Sequence, residues 1–349
     1  MTFATSVRRN FTTTQIRRRL LGLSLSEVSF SRRGFPGCAS TSRNHLERVI
    51  QTFIEGYNVA VVEGDLFQLA DRLDSSFSPE FVGFAYEGAG FYLGLTDLLL
   101  LRSQSRLAVF TQSAAQQHDF IATVGAGFAI ARVPFALRRM RSYQQILDPM
   151  TAWCLADGYG FHQGFFYWRR FVEERSPAPS GFSLQSRRLF DAGVGRALWW
   201  VFGADPVAVA SAISRFDDDR QPEMWTGIGT ALAYAGGGPP EASSLLLDLS
   251  GAYRSDLLSG ITLAAHMRAK GRNPYEWTEQ ACSNLLSMSV AEASGLVIGE
   301  LSVFMDSWQG SEEDKWNMCY LTLRDRIKRR LENRRSEQAA SRFYVETGL

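Results

Sequence analysis

The sequence predicts an all-α protein: a single domain of stacked helical hairpins that repeat about every 34 residues, as a solenoid or a closed α/α array. Glycine opens an apolar run seven times, in EGYNVA at Gly56, EGAGFY at Gly88, VGAGFA at Gly125, DGYGFH at Gly158, AGVGRA at Gly193, TGIGTA at Gly227 and SGITLA at Gly260. The steps between these glycines are 32, 37, 33, 35, 34 and 33 residues, a spacing typical of stacked helix pairs. The runs favour alanine, leucine and glycine over β-branched residues, and strand-like alternation is weak throughout.

Taken in order, Met1 to Gln15 is an N-terminal extension. The basic stretch from Ile16 through Arg19 reads as the first amphipathic element rather than a presequence, because no apolar stretch of signal-peptide length follows its arginines. Ser24-Leu25-Ser26-Glu27 and Ser289-Val290-Ala291-Glu292 have the S-x-x-E pattern of a capping box at a helix start. Within each unit the glycine run leads to a polar or Pro/Gly break and a second apolar run. Asp65 to Leu73 follows the first unit. Pro206 to Phe216 follows the fifth, with Pro206 at a first helical position. SPAPS (Ser176 to Ser180) and GGGPP (Gly236 to Pro240) are breaks, the second a candidate entrance rim. The repeat domain is assigned to residues 16–312 and a charged helical tail to 313–349.

Glycine inside a helix costs about 1 kcal/mol relative to alanine. Seven units accepting that cost at one register need a reason. Close helix approach is the simpler one; access for a ligand to the backbone is the other. No glycine pair is followed by Lys-Ser or Lys-Thr and none follows a strand, so a phosphate loop is excluded.

Composition narrows the function classes. A formal net charge of +1 gives no general field for nucleic acid, and the basic run Arg326 to Arg335 reads as a solvated helix face. Cys38, Cys154, Cys282 and Cys319 lack metal-knuckle or redox spacing, which suggests a reducing compartment. No HxxxH, HExxH or dense His/Asp group occurs, so neither a metal nor a cofactor is expected. The most apolar stretch, Phe161 to Trp168, is too short to span a bilayer. The expected location is cytoplasmic, with peripheral contact with a membrane surface left open.

Aligning the units by their first glycine brings out candidate chemistry. The preceding residue is Glu55, Glu87, Val124, Asp157, Ala192, Thr226 or Ser259. Acids here either cap helices or line one surface. Four residues beyond the glycine the position is alanine in five of seven units, but His162 in the fourth and Tyr92 in the second. Asp157 and His162 are five apart, and a helix start between them would bring them together as an acid/base pair; the alternative is a core histidine bonded to backbone. Candidate catalytic residues are therefore Asp157, His162, Glu87 and Asp191. His118 reads as a solvated cap, His266 as nearing solvent and His45 as a surface helix start. Cys154 reads as core. Tyr92, Tyr159, Phe161, Phe165, Trp168, Trp199, Trp200 and Trp225 are candidates for the wall of an apolar substrate pocket. Their faces can stabilise developing positive charge, and ordinary packing accounts for them equally well.

The ordered series RRRLLGLS, EVSFSRRGF, FIEGYNVAV, FAYEGAGFYLGLTD, VGAGFAIAR, ADGYGFHQGFFYWRRFV, FDAGVGRALWWVFGAD and WTGIGTALAYAGG resembles the enediyne-biosynthesis family known as domain of unknown function 1702, from about Arg17 to about Ile327. The resemblance implies an accessory step in bacterial natural-product biosynthesis on a polyketide polyene or similar hydrophobic molecule. It carries over no catalytic residue set. Two readings follow: an acid/base cyclase or isomerase acting on a long unsaturated chain, and a non-catalytic helical-repeat protein that binds a synthase or carrier, or shelters an intermediate.

Overall fold

The computed structural model describes residues 19, 21–36, 40–100 and 104–347. The extension Met1 to Gln15 and Cys38 lie outside them. Every regular element among the described residues is helical, and together they form one domain. Seven long helices carry the glycine runs: α1 (Ser40–Val62), α2 (Pro79–Leu100), α3 (Asp119–Arg132), α4 (Cys154–Phe166), α5 (Leu184–Val201), α6 (Gln221–Tyr234) and α7 (Arg254–Lys270). Two more follow, α8 (Val290–Ser307) and α9 (Glu312–Thr347).

The glycines explain how α1 to α7 pack. In each two-glycine run the first glycine meets the helix before it and the second meets the helix after it. Gly125 of α3 lies on the Glu87 carbonyl of α2, and Gly127 lies on the Leu155 carbonyl of α4. Gly158 of α4 faces Val124 of α3, and Gly160 faces Phe190 of α5. A Cβ at any of these positions would overlap the neighbouring backbone, so only glycine admits the approach. α1 and α7, at the two ends of the row, carry a single glycine each in their runs: Gly56 faces α2 and Gly260 faces α6. Gly160 meets Phe190 while Gly164, one turn on, meets Val194 and Ala197, so neighbouring helices run in the same sense. Short helices such as Leu66–Ser76 and Pro206–Ile213 bring the chain back between them. The second has the expected start, with Pro206 in its first turn and the Asp205 side chain accepting from the Val207 and Ala208 amides.

The row turns back on itself. The first turns of α1 lie against the C-terminal ends of α5 and α6: Trp200 Nε1 donates to Leu46 O at 3.4 Å, and His45 Nε2 lies 2.7 Å from Ala235 O. His45 is thus a part-buried contact to the end of α6 rather than a surface helix start. α7 meets α3 through Lys270 and Asp119 at 2.6 Å. The Ser289 capping box forms as expected. Ser24 instead starts a short 3₁₀ turn by accepting from the Ser26 amide.

The charged C-terminal segment is one helix, and its composition conceals a docked face. Cys319, Tyr320, Leu323, Ile327 and Leu331 are buried. Arg324, 1% exposed, pairs with the equally buried Glu223 of α6, which also accepts from Arg188 of α5 at 2.5 Å. In the basic run, Arg326 and Arg330 pair with Glu300 at 2.7 and 2.6 Å, and Lys328 pairs with Asp256 at 2.8 Å. This end of the run is therefore an ion-paired seam, not a solvated face.

Candidate functional site

An apolar pocket lies inside the row, and the glycine register says which residues reach it. One residue before the first glycine, then three and seven after it, are successive turns of one helix face. The third position gives Phe91, Phe128, Phe161, Arg196 and Thr230. The seventh gives Arg132, Phe165, Trp200 and Tyr234. All of these line the pocket, with Glu87 from the position before the glycine. Val49, Ile50, Phe53 and Ile54 of α1 close it from above. Its free space is about 60 Å³. A second void of about 20 Å³ lies beyond Arg196, Thr230 and Tyr234, lined by Asp157, Trp153 and Tyr320. A polar layer thus separates the two.

Glu87 is buried and makes no hydrogen bond or ion pair among the described residues. Desolvation pushes its pKa up to about 8, against the opposing pull of the Arg196 charge. Its carboxyl is therefore largely protonated at neutral pH. Asp157 is buried too, but the Arg196 guanidinium binds it directly. Burial outweighs the pull of Arg196 and leaves its pKa raised, with the Arg196 guanidinium as its ion-pair partner. Arg196 also lies 5.0 Å from the Phe161 ring centre.

The expected Asp157–His162 pair does not form. Asp157 belongs to Arg196, and both ring nitrogens of His162 lack a hydrogen-bond partner. His162 is 2% exposed, 4.6 Å from the Phe166 ring and edge-on to Phe128. Desolvation, with Arg132 and Arg33 nearby, lowers its pKa to about 3, so the imidazole is neutral.

The remaining candidates divide. Phe161, Phe165 and Trp200 line the pocket. Asp191 sits elsewhere, bonded to Arg220 at 3.1 and 2.6 Å, its pKa raised by burial to about 6. Arg220 also donates to Arg175 O, so the pair fastens the segment between α4 and α5. Tyr159 packs on Phe182 and Phe190. Trp168 packs on Phe35 and donates to Arg33 O. Trp199 donates to Gly236 O in the core, Tyr92 packs edge-on to Tyr57, and Trp225 is buried core. Glu55 is a surface partner of Arg48. GGGPP borders an open surface groove rather than the pocket mouth.

His118 and His266 are both buried, with desolvation lowering each pKa to about 4. His118 stacks on Tyr86 at 4.2 Å and His266 contacts Ser294 at 3.1 Å. Charged neighbours suggested solvent for both. Two of those neighbours are themselves inside: Asp119 is buried, and Arg268 is fully buried and donates to Tyr234 O and Glu80 O. Among the pocket residues that the sequence pattern did not single out are its two arginines, Arg196 and Arg132. Extending the glycine alignment to the third and seventh positions finds both.

Among the described residues no group of three or more His, Cys, Asp or Glu side chains is placed to hold a metal ion. No single helix among them is long and apolar enough to cross a membrane.

A family described as protein of unknown function, DUF1702, matches residues 12–331. The chain belongs to the DUF1702 family. The match reaches Leu331, the last buried position found on α9, so the docked part of that helix falls inside the DUF1702 unit. No curated protein and no solved structure matches this DUF1702 chain.

Proposed function

We propose that this DUF1702 protein is an accessory enzyme of bacterial natural-product biosynthesis, of the enediyne or polyketide polyene kind. It would act as an acid/base isomerase or cyclase on a long, hydrophobic, unsaturated molecule, without a redox cofactor. The recurring glycine register is read as a repeat of about 34 residues closed around the pocket. The observation that carries the reading is Glu87: an unpartnered carboxyl, its pKa raised by burial to about 8, facing a largely apolar cavity.

A carboxylic acid with a pKa near 8 is too weak to protonate an isolated alkene. It suits donation to an oxygen or carbon of a polarised, conjugated chain at neutral pH. The Glu87 proton would pass to the substrate while the π pair shifts along the chain. The faces of Phe91, Phe128, Phe161 and Trp200 would offset the positive charge that develops. His162 would take a proton from a neighbouring carbon, that C–H pair forming the new double bond. Return of that proton to Glu87 restores both groups and the sequence is redox neutral. The Asp157–Arg196 pair stays ionised and positions the charge beside Glu87.

The free space of about 60 Å³ is narrow for a long chain. This favours a second reading, in which the pocket opens to hold and shelter an intermediate for a synthase or carrier protein. Purified protein incubated with lipid and polyene extract, washed and analysed by mass spectrometry separates the two. A polyene retained and converted by the wild type, but only retained by Glu87→Gln, supports the enzyme. Retention with no conversion by either supports the carrier. No retained molecule contradicts both.

A further inference from the structure

The mouth of the pocket has its own chemistry. Apart from Thr230 in the layer between the two cavities, the lining residues that reach solvent are Leu23, Arg132 and Phe166. Three basic or polar groups meet around the Phe166 ring: Arg33 at 4.3 Å, Arg132 at 6.0 Å and His162 at 4.6 Å. Arg132 makes no ion pair or hydrogen bond among the described residues. His162 is 2% exposed with neither ring nitrogen satisfied. A buried imidazole facing a cavity without a partner costs free energy unless something bonds it there.

Charge counting within the pocket points the same way. Glu87 is protonated and Asp157 cancels Arg196, which leaves Arg132 uncompensated. Arg132 is the last residue of α3, and a helix C-terminus favours a cation. That accounts for a cation at this position but not for the orphaned imidazole beside it.

We propose that the pocket takes an amphiphile, an apolar unsaturated chain ending in one compact anionic head, carboxylate or phosphate monoester. Arg132 holds the head at the mouth, His162 donates one ring N–H to it, and the chain runs inward toward Glu87. This rests on the pocket reading above and narrows its substrate class. It also bears on the chemistry. Arg132 and Arg33 depress the basicity of His162, and an anion bound at Arg132 offsets that effect. A charged head would thus make His162 a better base than it is in the empty pocket.

The test uses the full chain and three fluorescent conjugated tetraenes of 18 carbons: the carboxylic acid, its methyl ester, and the monophosphate of the corresponding alcohol. The wild type is expected to bind at least one charged form about tenfold or more tightly than the ester, as charge-assisted hydrogen bonds suggest. Which charged form binds better identifies the head. In Arg132→Gln the preference for the charged form over the ester should fall below about threefold. Arg132 is exposed, and an unaltered unfolding midpoint will confirm that the variant folds. Equal binding of acid, phosphate and ester by the wild type overturns the head-group proposal and leaves the pocket reading standing. Saturable binding by none of them overturns the pocket reading as well.

Discussion

Gly158→Ala should destabilise the protein even though alanine is the better helix former. Gly158 lies inside α4, where the exchange by itself would gain about 1 kcal/mol. Its Cβ, however, would fall onto the Val124 carbonyl oxygen, with Val124 C and Cα only 2.8 and 3.1 Å away. These are backbone atoms of a packed helix and cannot rotate aside. α3 and α4 must separate by roughly 1 Å, losing dispersion contacts along the seam; overpacking of this kind costs about 1–3 kcal/mol and occasionally more. The expected net change is a loss of up to about 2 kcal/mol, against a gain had the methyl met nothing. The internal control is Gly295→Ala in α8, where nothing lies within 4 Å of the new methyl. That variant should gain about 1 kcal/mol. Urea unfolding of both variants beside the wild type measures the contrast. Equal stability of the Gly158 and Gly295 variants would refute the claim that the glycines exist for close backbone approach.

Further outcomes follow from the same geometry. Arg196→Met strands the Asp157 carboxylate and should cost about 3–5 kcal/mol in denaturant unfolding; adding Asp157→Leu should recover part of the loss, since breaking a buried pair costs more than replacing it. Asn58 accepts from and donates to the Leu23 backbone at 3.0 Å each, tying down a segment that lines the pocket mouth; Asn58→Ala should speed ligand association and release in stopped-flow fluorescence, and unchanged rates would remove that segment from the entry path. His118, His162 and His266 have pKa values held at about 4, 3 and 4 in the folded chain. Because the unfolded chain binds protons more readily, their contribution to stability is complete above about pH 6.5 and lost as pH falls toward 4. His118→Phe, which keeps the stack on Tyr86, should make urea stability less steep across that window, and an unchanged slope would mean that His118 charges without cost.

The parts of this fold that the sequence makes legible are those where one residue type answers one physical need. Only glycine admits a carbonyl at its Cα, so Gly88, Gly125, Gly158, Gly193 and Gly227 mark the helix seams before any coordinates are known. Glu87 and Asp157 stand out because both occupy the position just before the first glycine of their units. Their difference in state was not legible, since it depends on Arg196, one helix further on from Asp157. His162 was found for its position, but its supposed partner was wrong: sequence proximity suggested Asp157, and the helix turns the two side chains to different cavities. Charge near His118 and His266 suggested solvent, whereas Asp119, Arg268 and Lys270 are engaged within the fold. The C-terminal helix looked like a tail because its charges outnumber its apolar residues, and Arg324 and Lys328 spend those charges on buried partners.

The account turns on a protonated Glu87 in an apolar pocket, and that state is directly measurable. The protein labelled with ¹³C at glutamate side-chain carboxyls should show one resonance, absent in Glu87→Gln, that titrates near pH 8. Because this folded-state pKa lies above the unfolded value, stability should also decline as pH rises from about 4.5 toward 8, and Glu87→Gln should remove that part of the decline. A Glu87 resonance that titrates near 4.5 would show an ionised carboxylate at neutral pH, and the proposed acid would not exist.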